Sequence, residues 1–170
     1  MVGNSGSGKS RLAAALAIPH LELDGVFHQA GWQPLPRPDF RAAVAGFAAG
    51  DAWVIDGNYR AVQDLVWARA DTVVWLDPSP ARVMRQLGRR TLLRMLRRDE
   101  LWNGNRESWT GLFRADPEKS ILRWAWTQHA ATRERYRQAQ ADPAHAHLEF
   151  VRLTTPAQVA EFVRQARAGA

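Results

Sequence analysis

The sequence contains no cysteine, which excludes disulfides, thiolate metal centres and cysteine nucleophiles. Its five histidines, at positions 20, 28, 129, 145 and 147, fall in no H-E-x-x-H or comparable zinc spacing. Lysine is nearly missing: Lys9 and Lys119 are the only two among 23 basic residues, and the rest are arginine. Together with abundant alanine, this bias is what a GC-rich coding sequence produces. The net charge of +6 therefore informs on solubility and non-specific binding more than on fold. There is no run of 18 apolar residues and no signal-peptide layout, so neither a membrane partner nor export is expected, and the expected location is the cytoplasm. Internal repeats, low-complexity tracts and linkers are also missing. At 170 residues, 46% hydrophobic and 24% charged, the chain reads as one domain over 1–170 with a sizeable core.

What is present begins at the third residue. Gly3-Asn4-Ser5-Gly6-Ser7-Gly8-Lys9-Ser10 fits G-x-x-x-x-G-K-[ST], the Walker A pattern. Glycines let the backbone wrap closely round a polyphosphate, so that successive N–H groups point inward at it. In such a loop Lys9 reaches the β- and γ-phosphates and the Ser10 hydroxyl ligates Mg²⁺. The helix expected to start near Lys9, with Arg11 in its first turn, adds its positive end. With so little lysine in the chain, a chance match arises in roughly one such sequence per thousand.

Strand and helix signals alternate after the loop. Lys9–Ala17 reads as a helix ended by Pro19, and Leu21-Glu22-Leu23 as a short strand delivering Asp24. Turn residues fill 25–38, and Pro38-Asp39 opens a helix with Phe40, Val44 and Phe47 on one face. Trp53-Val54-Ile55 leads to Asp56-Gly57, a short helix runs through Val62, Leu65 and Val66, and Thr72–Leu76 leads to Asp77-Pro78. These two strands lack alternation, as expected where helices cover both faces of a parallel sheet. Ser79-Pro80 starts an arginine-rich helix to about Arg98, with seven arginines between Arg82 and Arg98. Residues 102–116 read as irregular, Pro117 starts a second long helix, Leu148–Leu153 resembles an edge strand, and Pro156 opens the last helix. The pattern predicts an α/β three-layer fold with right-handed crossovers and a ligand site at the carboxyl ends of the strands.

The Walker A loop, W-V-I-D-G-N-Y-R (53–60) and V-V-W-L-D-P-S-P followed by Arg85 and Arg89 resemble the adenylate/shikimate-kinase branch of P-loop proteins. More narrowly, L-D-G-V-F-H-Q-A-G-W (23–32), D-G-N-Y-R (56–60), N-G-N-R-E-S (103–108) and R-W-A-W (123–126) resemble bacterial kinase-like proteins of the FlaR-type DNA topology modulation family. The likeness runs over essentially the whole chain. It implies a parallel sheet in the order 2-3-1-4-5, an acceptor-binding insert at about 25–50 and a short helical lid at about 89–118. It also implies ATP and Mg²⁺ as cofactors and a small-molecule phosphate acceptor.

The resemblance suggests roles residue by residue. Asp56 follows an apolar strand as a Walker B acid does, and would act on Mg²⁺ directly or through water. Arg60 matches an arginine that contacts the acceptor's anionic group in related kinases, and His28 is a candidate acceptor contact. Arg85 and Arg89, one helical turn apart, match lid arginines that close on the transferring phosphoryl group, with Glu107 a partner for one of the arginines. Asp24 resembles the acceptor-side carboxylate of nucleoside and small-alcohol kinases. It could equally hold Mg²⁺ or cap its loop. Trp53 and Trp75 are expected in the core; Trp32, Trp102 and Trp109 flank the acceptor region and either stack on a base or pack a loop onto the body.

Two further expectations complete this reading. Only Met1 and Val2 precede Gly3, whereas the resembling kinases carry a longer strand there, so strand residues are expected upstream of Met1. The principal activity expected is an ATP-dependent kinase acting on a nucleotide, nucleoside or other hydroxyl acceptor, as a monomer or homodimer. The alternative is an ATP-binding, nucleic-acid-associated effector. It is supported by the arginine run and weakened by the absence of a helix-turn-helix, RRM or OB pattern.

Overall fold

The computed structural model describes residues 1–97, 100–105 and 121–168. Among the described residues, five short strands alternate with helices: β1 (Val2–Gly3), α1 (Lys9–Leu16), β2 (His20–Glu22), α2 (Leu23–Phe27), α3 (Arg37–Ala48), β3 (Val54–Asp56), α4 (Arg60–Arg69), β4 (Thr72–Leu76), α5 (Pro80–Arg97), α6 (Ile121–Ala141), β5 (Glu149–Leu153) and α7 (Pro156–Ala168). Single helical turns lie at Ala30–Trp32, Trp102–Gly104 and Pro143–His145. No helix among the described residues is long and apolar enough to cross a membrane.

All strand pairs are parallel. One sheet is ordered β1–β4–β5, with Val2 opposite Trp75 and Leu76 opposite Leu153; the other pairs β2 with β3, placing Glu22 opposite Asp56. Met1 lies against both sheets. Its amino group donates to the Ile55 carbonyl at 2.6 Å and its carbonyl accepts from Gly57 N–H at 3.2 Å.

The apolar run of β4 explains the layering. Val73 and Trp75 face one side, packing with Trp67 of α4, Tyr136 of α6 and Leu148. Val74 and Leu76 face the other, packing with Leu12 of α1, Leu153 and the Val159, Phe162 and Val163 side chains of α7. A strand covered on both faces has no use for polar alternation. A third cluster joins Leu23, Ile55 and Val62 to the inner face of α3, where Phe40, Val44 and Ala48 repeat every four residues. Each fully buried aliphatic or aromatic side chain contributes about 1.5–3 kcal/mol.

Three expectations require correction here. The second strand is His20–Glu22, and Leu23 starts a five-residue helix, so Asp24 lies in a first helical turn and not at a strand end. Segment 25–38 is not all loop. After α2, a hairpin-like excursion is closed by the Gln29 N–H to Gln33 carbonyl bond (2.8 Å) and the Leu35 N–H to Phe27 carbonyl bond (2.7 Å), with Ala30–Trp32 at its tip. Trp75 is buried as expected, whereas Trp53 precedes β3 and is only half-buried against α3.

Candidate functional site

Gly3–Ser10 forms a tight loop from β1 to α1. Gly3, Gly6 and Gly8 all have φ in the left-handed half (138°, 79° and 101°), and Gly8 caps α1. Gly3 is irreplaceable on space as well: a Cβ there would lie 2.3 Å from the Leu76 carbonyl oxygen. The Ser7 N–H donates to the Asn4 carbonyl (3.1 Å), and Lys9 Nζ folds back to donate to the carbonyls of Gly3 (2.9 Å) and Asn4 (3.2 Å). Asn4 and Ser7 are buried, yet Asn4 Oδ1 and Ser7 Oγ have no hydrogen-bond partner. Unmet polar atoms in a buried loop are what a polar ligand would satisfy.

The D-G-N-Y-R segment is bound to this loop residue by residue. Asp56 closes β3. Gly57 has φ 143°, and a Cβ there would meet the Leu23 side chain at 2.8 Å, so both backbone and space call for glycine. Asn58 clasps Gly3 from both sides, accepting its N–H at 3.1 Å and donating to its carbonyl at 2.7 Å, while Tyr136 OH donates to Asn58 Oδ1 at 2.9 Å. Tyr59 OH donates to Asp24 Oδ1 at 2.7 Å and lies 3.4 Å from His28 Nε2. Burial raises the Tyr59 phenol pKa, and the Asp24 charge and hydrogen bond raise it further, so Tyr59 stays a neutral donor.

Lys9 is held among carboxylates. Burial lowers its pKa; Asp56, Asp24 and Glu22 act in the opposite sense, and Arg90 of α5 lowers it further. Asp56 itself is buried and meets His20 Nε2 at 2.8 Å. Ligand atoms of His20, Glu22 and Asp56 lie within 4.8 Å of one another, because Glu22 and Asp56 share a register position and His20 is two residues before Glu22 on the same face. Glu22 Oε2 also accepts from Trp102 Nε1 at 2.6 Å.

The structure thus brings Lys9, Asp24, Asp56 and His28 into one connected network. Ser10 is half-buried and Arg11 exposed at the start of α1, and Ser5 is half-buried in the loop. Arg60 is the first residue of α4, exposed, and lines an open depression with Arg37, Pro38, Arg41 and Asp64; Arg41 there is paired bidentately with Asp64 (2.8 Å). Arg85 and Arg89 are both exposed, whereas the inward face of α5 carries Val83, Leu87 and Thr91. The α5 arginine whose charge acts on Lys9 is Arg90. Residues 98–99 and 106–118 of the expected lid, Glu107 and Trp109 among them, lie outside the described residues.

Several participants escaped the sequence reading: His20, Glu22, Asn58 and Tyr59. The signal available for the last two was their place inside D-G-N-Y-R; for Glu22 it was the E-x-D spacing at the end of β2. Trp102, Asn103 and Asn105 are a further group, seated directly on the 22–32 segment. Asn103 Nδ2 donates to the carbonyls of Gly25 (3.1 Å) and His28 (2.6 Å). Asn105, only 3% exposed, donates to Gln29 (2.9 Å) and Trp102 (2.9 Å) and accepts the Trp32 N–H at 2.9 Å. At the end of β4 stands a separate structural knot: buried Asp77 is paired with Arg133 of α6 (Nε at 3.0 Å) and with Arg152 of β5. Comparison with protein-family models, with curated proteins and with solved structures finds no match to this chain.

Proposed function

We propose that this protein is an ATP-dependent phosphotransferase acting on a small molecule, with Gly3–Ser10 as its phosphate-binding loop. The observation that carries the reading is the loop itself. Three left-handed glycines, the N-terminus of α1 and Lys9 converge on one spot beside Asp56, with the Ser7 hydroxyl, able to donate, unmet. In this reading the two sheets continue through Met1 as one, in the order 2-3-1-4-5, which sets the loop at a topological switch point.

The donor set suits a hard cation. Ser10, Asp56 and Glu22 offer oxygens, the ligands Mg²⁺ prefers, while His20 is engaged with Asp56. Ser10 and Asp56 would hold the ion, which when bound neutralises phosphate charge. Lys9 exchanges its two loop carbonyls for phosphate oxygens, and Arg90 adds charge from α5. Asp24, held by Tyr59, receives the proton of an acceptor hydroxyl as its oxygen bonds to the γ-phosphorus and the bond to the ADP oxygen breaks. Asp24 then returns the proton to water.

An ATP-consumption screen over nucleosides, nucleotides, sugars and small alcohols with Mg²⁺ tests the proposal. Acceptor-stimulated ADP release, abolished in Lys9→Ala, supports it. A wild-type protein that releases no ADP with any acceptor, or a Lys9→Ala variant within about tenfold of wild type, overturns it.

A further inference from the structure

The tip of the 27–35 excursion is built at a cost. Gly31 and Trp32 both have positive φ (68° and 60°), which is ordinary for glycine and strained for a bulky residue. The strained residue is also among the few large hydrophobic side chains left in solvent, at 42% exposure. A polypeptide has no packing reason to hold an exposed tryptophan in a disfavoured conformation, yet here a buried side chain from 73 residues away does so. Asn105 takes the Trp32 N–H and ties the tip down through the Gln29 carbonyl.

This arrangement sets a row of rings. The Trp32 ring stands edge-on to His28 with centroids 5.3 Å apart, and Trp102 lies nearly parallel to His28 on another side (6.5 Å, 26°). Trp102 is held along the pyrrole edge of its indole, by its Nε1–H to Glu22 and by close packing on Gly25, where a Cβ would stand 2.7 Å from Trp102 Cδ1. The row leads into the polar network: His28 Nε2 is 3.4 Å from Tyr59 OH, which donates to Asp24. His28 Nδ1 is shielded and has no partner. The charged groups bonded to the row are the carboxylates of Asp24, through Tyr59, and Glu22, through Trp102, and Lys9 interacts electrostatically with both.

We propose that Trp32, with His28 and Trp102 behind it, is the stacking platform for the acceptor, and that this acceptor is an uncharged compound joining a flat aromatic ring to a free hydroxyl. A ring laid on Trp32 places its hydroxyl arm toward the Tyr59–Asp24 pair, whereas a phosphomonoester dianion in that position would face the carboxylates of Glu22 and Asp24. Asp24's part as proton acceptor rests on the phosphotransfer reading; the ring site itself does not.

The test measures equilibrium binding by calorimetry without ATP. The probes are thymidine, cytidine, 4-hydroxybenzyl alcohol, thymidine 5′-monophosphate and glycerol. At least one of the uncharged ring-bearing probes is expected to bind. Trp32→Leu should weaken it tenfold to about a hundredfold, the usual effect of losing one stacked ring, with Trp32→Phe within about fivefold of wild type. Because Trp32 is exposed, the leucine variant should melt with the wild type, which separates lost stacking from lost folding. Preference for the two nucleosides or for the benzylic alcohol identifies the ring. No ring-bearing probe binding at millimolar concentration, tighter binding of the monophosphate or glycerol, or unchanged binding in Trp32→Leu would overturn the proposal. Ring binding by a protein that binds no Mg-ATP would leave this site standing and remove the phosphotransfer reading.

Discussion

At the scale of single residues, the site depends on where side chains are forbidden as much as on where they act. Gly3→Ala puts a Cβ against the Leu76 carbonyl at a φ of 138°, and the clash is with backbone that cannot swing aside. The expected loss is about 3 kcal/mol in urea denaturation, with the phosphate loop displaced. Asp24 is the residue that separates chemistries. With a hydroxyl acceptor, Asp24→Asn should lower kcat by about 10²–10⁴ and leave ATP affinity unchanged, the signature of a lost general base. Unchanged kcat would reduce Asp24 to the partner that keeps Tyr59 in place. Lys9 makes a pH prediction. Burial lowers its pKa in the free protein, and a bound polyphosphate raises it again, so binding takes up a proton in the window between those two values. Affinity for Mg-ATP should therefore fall as pH rises through that window. Calorimetry in buffers of different ionisation enthalpy should report proton uptake there, and a buffer-independent enthalpy throughout it would contradict the assignment.

At the scale of elements, the contact between Trp102–Asn105 and the 22–32 segment ties the chain beyond α5 to the surroundings of Asp24 and His28. Asn105→Ala removes three hydrogen bonds from a buried position, with an expected cost of about 1–3 kcal/mol. Hydrogen exchange at the Trp32 amide should accelerate in that variant; exchange as slow as in the wild type would show that another group secures the tip. These elements also show what was legible beforehand. β4, α3, α5 and α7 were readable from local pattern because their apolar spacing and proline or serine starts are properties of consecutive residues. The helix Leu23–Phe27 was not, since it carries Gly25 at its centre, a poor helix former. The glycine is there because Trp102 occupies the space of its missing side chain, and that reason lies 77 positions away. Asn58 and Gly3, 55 positions apart, illustrate the same limit: the glycine loop was evident, and the side chain that secures it was not.

At the scale of the whole molecule, parallel pairing brings the ends of β2 and β3 together, where Glu22 and Asp56 close their strands, and the bonds of Met1 to Ile55 and Gly57 set the loop that follows β1 beside them. Lys9, Glu22, Asp24 and Asp56 meet for that reason, although they come from three separate stretches of chain. The opposite charge pattern at Asp77, buried against Arg133 and Arg152, binds β4 to α6 and β5 and leaves no open carboxylate there for a ligand. The proposed function stands on the Gly3–Ser10 loop and Lys9 as the groups that bind the phosphates of Mg-ATP. Titration of wild type and Lys9→Ala with Mg²⁺ and a non-hydrolysable ATP analogue by calorimetry tests it most directly. Saturable one-to-one binding is expected for the wild type, weakened about a hundredfold or more in Lys9→Ala, which corresponds to about 2.7 kcal/mol. No binding by the wild type, or equal affinity in the variant, would contradict it.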